Sequence, residues 1–323
     1  MIIESLLIVV FAICIDLAFG DPKNRYHPTA WIGKLIGRII PYGKTNSILT
    51  EKISGVLFVI AITSMVCTIL FAISYGVGLI SLDIVSIIVS IVIGSILLKT
   101  TIAIRGMENH AMSIVQAIEN NDIQLSREYL SMIVKRDTTN LDKNHVISGT
   151  LESISENTVD GVTGPLFYFG FFGVFGAFVY RIINTFDSMV GYKTTMFANL
   201  GWFAANSDKI LNYIPSRLTG LIMILGSLIL RTDWRRSYQI MIRDSSKLQS
   251  PNAGYPMAAL AGALNTTFEK INNYKIGDGN VELDTSHIKS SIALMKITSL
   301  LFCGMITIPT IVLLYYLGWW LHA

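Results

Sequence analysis

Three long apolar runs constrain this chain more than any other feature. Ile53–Ile80, Ile84–Ile104 and Leu294–Trp320 each reach the roughly 20 residues that a helix needs to cross a hydrocarbon core about 30 Å thick. The first two are joined by the tight Ser81-Leu82-Asp83 turn. The third ends in Tyr315, Tyr316, Trp319 and Trp320, rings suited to a membrane interface. Ile2–Phe19 is shorter and carries Glu4 and Asp16. It has no basic stretch ahead of it and no small-residue cleavage site, so it reads as a retained helix and not as a signal peptide. Two more runs are ambiguous. Pro165–Ile183 has Gly170, Gly173 and Gly176 three apart, a spacing that permits close helix contact or irregular backbone, and Ile214–Leu230 is interrupted by Ser216 and Arg217.

Composition narrows the class further. Of 323 residues 52% are apolar and 15% charged, against about 25% charged in an ordinary soluble domain. That excludes a typical soluble enzyme and a disordered chain. The balance of 25 basic and 22 acidic residues, net +3, gives no footprint for a nucleic acid. Cys14, Cys67 and Cys303 lie in apolar runs without metal or redox spacing. The expectation is an all-α, polytopic integral membrane protein with four to six membrane helices, re-entrant or broken helices among the options, plus a helical cytoplasmic module.

Charge places the loops. Segments 21–52, 105–164 and 231–293 hold most of the Lys and Arg outside the apolar runs. The positive-inside rule puts these three in the cytoplasm and both termini outside, in a cell-membrane protein. Residues 1–323 read as one membrane-integral domain, with 105–164 a helical cytoplasmic insertion and 231–293 a second cytoplasmic segment. Within the insertion, Met112, Val115 and Ile118, then Leu130, Ile133 and Val134, recur at helical spacing. Asn120-Asn121-Asp122 and Asp137-Thr138-Thr139-Asn140 mark breaks before a third helix that runs towards Asn157.

Several polar clusters are candidates for chemistry. Glu152, Glu156 and Asp160 fall at i, i+4 and i+8, one face of a continuing helix. Such a face is either solvated or a place for Mg²⁺, which binds through one or two carboxylates plus substrate phosphates. Asn184-Thr185-Phe186-Asp187-Ser188-Met189-Val190-Gly191-Tyr192-Lys193 is the densest polar cluster beside an apolar run. A capping turn explains Asp187 or Ser188 alone, but Arg181, Asn184 and Lys193 together favour a binding role. Arg217, after Asn212-Tyr213-Ile214-Pro215-Ser216, either snorkels or fixes an anion. Ser250-Pro251-Asn252-Ala253-Gly254 starts a small-residue helix whose backbone N–H groups suit phosphate or a plain cap. Arg231, Arg235 and Arg236 read as a topology anchor on lipid phosphates, or as ligands of a substrate phosphate. Gly43-Lys44-Thr45 lacks the upstream glycine and strand of a P-loop.

Asp21-Pro22…His27-Pro28…Gly33, Ile133-Val134-Lys135-Arg136-Asp137-Thr138…Leu141, Glu152-Ser153…Glu156-Asn157…Asp160-Gly161 and Pro165-Leu166-Phe167 occur in that order. Tyr180-Arg181…Asn184-Thr185…Asp187-Ser188-Met189-Val190-Gly191-Tyr192, Asn212-Tyr213-Ile214-Pro215…Arg217-Leu218-Thr219 and Ser250-Pro251-Asn252-Ala253-Gly254 follow. The series resembles the CbiB/CobD family of cobalamin-biosynthesis membrane proteins, described as adenosylcobinamide-phosphate synthases, over nearly the whole chain. Three positions depart from it: Lys135 stands where the family usually has Gly, Lys209 where it has a second acid after Asp208, and Met257 where it has Glu.

The resemblance implies amide formation between adenosylcobyric acid and an aminopropanol or its O-phosphate, with the corrinoid as substrate. Activating a free carboxylate implies ATP and Mg²⁺, through an acyl phosphate. Glu156, Asp160 and Asp187 would hold Mg²⁺ or act as base. Arg181, Lys193 and Arg217 would bind phosphate or the acyl phosphate, with Lys193 counted among the catalytic residues. Asn157, Asn184, Asn212 and Asn252 would orient substrates, with Ser188 and Tyr192 beside them, and Phe167, Tyr168 and Tyr192 would line a corrinoid groove. Partners implied are the lipid bilayer and other cobalamin-pathway membrane enzymes. ATP is cytoplasmic, yet simple six-span counting puts loop 185–213 outside. The expected resolution is that 165–184 and 214–230 do not both span simply, but form re-entrant or broken helices. The rival readings are a membrane phosphotransferase with a metal-bound acidic stripe and a small-molecule transporter.

Overall fold

The computed structural model describes residues 2–191, 197–248, 250–271, 273–279 and 282–319. In chain order the helices are α1 Ile2–Phe19, α2 Pro28–Ile39, α3 Ile48–Gly78, α4 Asp83–Lys99, α5 Ile104–Glu119, α6 Ile123–Ser131, α7 Lys143–Thr158, α8 Gly164–Val190, α9 Trp202–Leu211, α10 Tyr213–Ile229, α11 Trp234–Asp244 and α12 Pro251–Ala263. The strands β1 Phe268–Lys270 and β2 Tyr274–Ile276 follow, then α13 Thr285–Phe302 and α14 Ile308–Tyr316. The protein is an all-α polytopic membrane protein. Among the described residues five stretches are long and apolar enough to cross a membrane: Ile2–Phe19, Ile48–Gly78, Asp83–Glu119, Lys143–Val190 and Thr285–Tyr316. The 17-residue α10 is a shorter apolar helix.

Helix boundaries follow local chemistry. Ser47, Asp122, Asp142, Asp233 and Asp284 each accept a backbone N–H at the start of their helices, satisfying donors the helix itself leaves unpaired. Asn121 adopts φ 58 between α5 and α6, the expected break. α6 ends at Ser131, so Ile133 and Val134 lie beyond it. The hairpin β1–β2, antiparallel with Lys270 opposite Tyr274, is not legible in the 231–293 composition.

The chain forms two compact units. The first comprises residues 1–102, 164–212 and 305–323. Its core is built by Ile32 and Ile36 of α2, Val59 and Ile62 of α3, and Phe178, Ile182 and Phe186 of α8. α8 breaks in mid-course at Phe172 (φ −132°, ψ 16°) and Gly173 (φ 60°, ψ −151°). The Gly173 conformation belongs almost wholly to glycine, so the irregular backbone allowed by the glycine spacing is realised there. A cavity of about 900 Å³ lies at the break, lined by apolar side chains with Glu4, Ser74, Ser90, Tyr168 and Tyr180 among them.

The second unit comprises residues 103–163 and 213–304. At its centre lies α12, whose Ala258, Ala259, Leu260 and Ala261 are inaccessible. Its small residues let α7, α10 and α11 approach it closely. α13 lies against α5 and α7 and is tied to α5 by Lys296–Glu108 (2.6 Å) and Lys289–Glu119 (2.7 Å). A π-helical turn, Val159–Thr163, follows α7.

Candidate active site

In the first unit the described part of the cluster, residues 184–190, forms the C-terminal end of α8. Asn184, 6% exposed, donates its amide to Asp208 Oδ1 at 3.2 Å. Asn212, 3% exposed, donates to Asp208 Oδ2 at 3.1 Å. The Tyr180 hydroxyl in turn donates to Asn212 Oδ1 at 2.7 Å. Two buried amides therefore hold both oxygens of one carboxylate and tie α8 to α9. Tyr168 stacks on Tyr180 with centroids 5.4 Å apart and donates its hydroxyl to the Leu211 carbonyl at 3.0 Å. Asp208 was no candidate from sequence, although its i, i+4 spacing to Asn212 was a signal for it.

Arg181, Asp187 and Ser188 lie along the same helix. Asp187 Oδ1 occupies the place a Cβ on residue 191 would take. Glycine at 191 thus lets the carboxylate fold back over the helix end. Tyr192 and Lys193 lie outside the described residues. The Asp21–His27 block has a structural use: Lys99, 4% exposed, reaches Asp21 at 2.5 Å and the buried Asp16 at 3.4 Å, and His27 Nε2 is 3.5 Å from Asp21. Burial opposes ionisation of Asp21, but hydrogen bonds from His27 and Lys99 outweigh it and hold the carboxyl below its ordinary value.

In the second unit the acidic face of α7 divides. Glu152 is 3% exposed. It accepts from Arg136 Nη2 at 2.5 Å, from the Tyr274 hydroxyl at 2.5 Å and from Ser148 Oγ at 3.1 Å. Burial, then the charges of Glu152 and Glu156, push the Tyr274 hydroxyl far above the usual phenol range, so it remains the donor. Ser148 Oγ also accepts the Glu269 N–H at 2.9 Å. Glu152 therefore fastens the 132–142 loop and the hairpin to α7. Glu156, one turn on, is exposed and makes no hydrogen bond or ion pair among the described residues. Asn157 turns its amide back to the Ser153 carbonyl at 2.9 Å. Asp160 follows, half-buried, inside the π turn.

Arg217 and Asn252 meet. Arg217 Nη1 donates to the Tyr213 carbonyl at 2.6 Å and to Asn252 Oδ1 at 3.3 Å. Its guanidinium lies 3.6 Å from the Tyr213 ring centroid and 4.5 Å from that of Tyr255. Two rings and an amide fix the cation beside the first turn of α12, where the leading N–H groups are free of helix partners. Arg236 has a different role: it bonds Asp278 at 2.5 Å. Asp278 also binds Arg243 at 2.5 Å. The fully buried Asp244 accepts from Arg243 Nε at 2.7 Å, Lys247 at 2.6 Å and the Gly277 N–H at 2.9 Å. Among the described residues no three His, Cys, Asp or Glu side chains gather as a metal site.

Residues 9–295 match a family described as CobD/Cbib protein. The probable cobalamin biosynthesis protein CobD of Methanothermobacter thermautotrophicus is 38% identical over 91% of this chain and 94% of its own length. The cobalamin biosynthesis protein CobD of Dehalococcoides mccartyi is 38% identical over 91% and 93%, and the probable cobalamin biosynthesis protein CobD of Methanocaldococcus jannaschii 35% over 98% of both chains. No solved structure matches.

Proposed function

The chain belongs to the CobD/Cbib family of cobalamin-biosynthesis proteins, and we propose that within that pathway it forms an amide between a corrinoid propionate and aminopropanol or its O-phosphate. The observation that carries this reading is the extent of the family match, which takes in every candidate site residue from Glu156 to Asn252. The corrinoid carboxylate oxygen attacks the γ-phosphorus of ATP, the bond to ADP breaks, and an acyl phosphate results. The neutral amine then attacks the acyl carbon, inorganic phosphate departs with the C–O electron pair, and the nitrogen loses its proton. Glu156 and Asp187 are the candidates for the base that takes that proton.

Arg217, held between its two rings with Asn252 at the α12 start, is suited to a phosphate oxygen. Arg181 and Lys193 are the further cations assigned to phosphate, and Ser188 and Tyr192 to substrate contact. Asn184 and Asn212 act by holding Asp208 and so by setting the end of α8. Mg²⁺ fits the donor chemistry: Glu156 makes no hydrogen bond or ion pair among the described residues, Asp160 follows one turn later, and this cation needs only one or two carboxylates beside phosphate oxygens. Asp187, in the first unit, is a separate candidate ligand. When bound, Mg²⁺ would offset phosphate charge. ATP use also implies that segment 185–213, which holds the end of α8 and all of α9, reaches the cytoplasmic side.

The test is direct. Purified protein is incubated with adenosylcobyric acid, aminopropanol or its phosphate, ATP and Mg²⁺, and products are followed by mass spectrometry. The expected result is the amide with one ADP and one phosphate per turnover. Absence of amide with both amines overturns the reading, and amide made without ATP consumption overturns the acyl-phosphate route. Labelling of Lys193→Cys solely from the outer side of sealed vesicles overturns the placement of the loop.

A further inference from the structure

One face of α11 has no protein partner among the described residues. Ser237, Ile240, Met241 and Asp244 point into the second unit and are buried. Trp234, Tyr238 and Ile242, at i, i+4 and i+8, are 40%, 51% and 60% exposed. Three large side chains on one face of a helix otherwise rich in Arg have no reason to face water, given that each removed from it gains on the order of 25 cal/mol per Å². The preceding helix of the same unit carries exposed apolar residues of its own. Leu221, Leu225 and Leu228 of α10 also fall on one face and are 48%, 40% and 52% exposed, with Ile229 beside them.

The flanking charge identifies what covers the face. Of the three arginines that open this segment, Arg236 is neutralised by Asp278. Arg231 and Arg235 are exposed and have no carboxylate partner among the described residues. Arg231 stands at the junction of α10 and α11 in a left-handed conformation, φ 57, and Arg235 lies over the Trp234 ring at 5.4 Å. Unpaired arginines beside an aromatic and aliphatic stripe are the pattern of a helix lying at the headgroup level of a bilayer, with its rings at the acyl boundary and its cations on phosphates. We propose that α11 is such an interfacial helix, seated on anionic phospholipid through Arg231 and Arg235, and that it continues the lipid-facing surface of α10. Arg236 and Arg243 serve the fold through Asp278 and Asp244, so the lipid contact and the internal salt bridges use different faces of one helix.

The test uses the full chain in a background where Cys14, Cys67 and Cys303 are replaced by Ser. Nitroxide is attached at Tyr238→Cys, Gln239→Cys or Ile242→Cys, and the proteins are placed in nanodiscs of phosphatidylcholine with or without phosphatidylglycerol. Collision with oxygen is compared with collision with a water-soluble nickel chelate. Oxygen is expected to dominate at 238 and 242 and the chelate at 239, with the 238 and 242 labels moving deeper as phosphatidylglycerol is added. The Arg231→Gln/Arg235→Gln double variant should lose that lipid-dependent shift while keeping its melting temperature. Chelate access at all three positions overturns the interfacial placement. Depth indifferent to phosphatidylglycerol overturns the anionic contact. Shielding that disappears when each disc holds a single chain identifies a second copy as the occupant instead.

Discussion

The amide clamp on Asp208 and the acidic face of α7 are both clusters of polar side chains next to apolar helix, yet they are built oppositely. In the clamp, Asn184 and Asn212 give their amide N–H groups to one carboxylate, and Tyr180 satisfies the oxygen of Asn212. On α7, two glutamates one turn apart have different fates. Glu152 has three donors, two of them from outside α7, while Glu156 has none among the described residues. A buried polar group must be satisfied by the protein or it costs stability. Density of polar residues beside an apolar run therefore marks structural clamps as readily as reactive groups. What separates them is whether the protein itself answers the hydrogen-bonding capacity.

The strongest test exchanges the two glutamates. Glu156→Gln should lower the rate of amide formation by about 10²–10⁴-fold, the usual range for losing a positioned acid or base, with little change in melting temperature. Glu152→Ala should do the reverse. It leaves Arg136 without its buried partner, which costs on the order of 3–5 kcal/mol, read as a lower denaturation midpoint. A catalytic collapse in Glu152→Ala at unchanged stability, or an unstable Glu156→Gln, would erase the distinction between them.

Much of the fold was legible because its causes are local. The apolar runs became α1, α3, α4 and the α13–α14 stretch, and the Asn120–Asp122 break appeared where Asp122 caps α6. The clamp was only half legible. Asn184 and Asn212 stood out as polar residues near apolar helix, but Asp208, which joins them, is 24 residues from Asn184 and nothing local announces that contact. The hairpin escaped for the same reason: β1 and β2 are three residues each, too short to show a period. They are held by long-range bonds from Tyr274 to Glu152 and from Glu269 to Ser148.

The break in α8 sharpens the comparison on the side of the clamp. Gly173→Ala forces a side chain into a conformation that only glycine adopts readily, costing about 1–3 kcal/mol. No neighbour lies within 4 Å of the added Cβ, so the penalty is backbone strain alone. It should appear as a fall in thermal stability of the purified protein, with Glu156-dependent chemistry impaired only in proportion to the unfolded fraction. An unchanged melting temperature would show that the kink is not needed.

A smaller effect is expected at Arg217, the second unit's fixed cation. Arg217→Lys keeps the charge but loses the planar stacking between Tyr213 and Tyr255 and the fork that reaches Asn252. The expected change is about tenfold in KM for the phosphate-bearing substrate, roughly 1.4 kcal/mol, with kcat nearly constant. A fall in kcat at constant KM would move Arg217 from binding to the transition state.

The least change with pH near neutrality belongs to the buried Asp244, whose charge is wholly answered by the protein, as that of Glu152 is. Burial disfavours its ionised form, but hydrogen bonds from Arg243, Lys247 and the Gly277 N–H prevail and hold its carboxyl far below the usual carboxylate range. A depressed folded-state value means that the stabilisation is fully present above the unfolded value and is lost as pH falls through the folded one. The stability difference between wild type and Asp244→Asn should therefore stay constant from pH 8 to pH 5 and shrink only below about pH 4. Denaturant midpoints of the two proteins across that range measure it. A gap that closes between pH 8 and pH 5 would mean that a group titrating near neutrality, and not the carboxylate held by Arg243, sets the stability of this face.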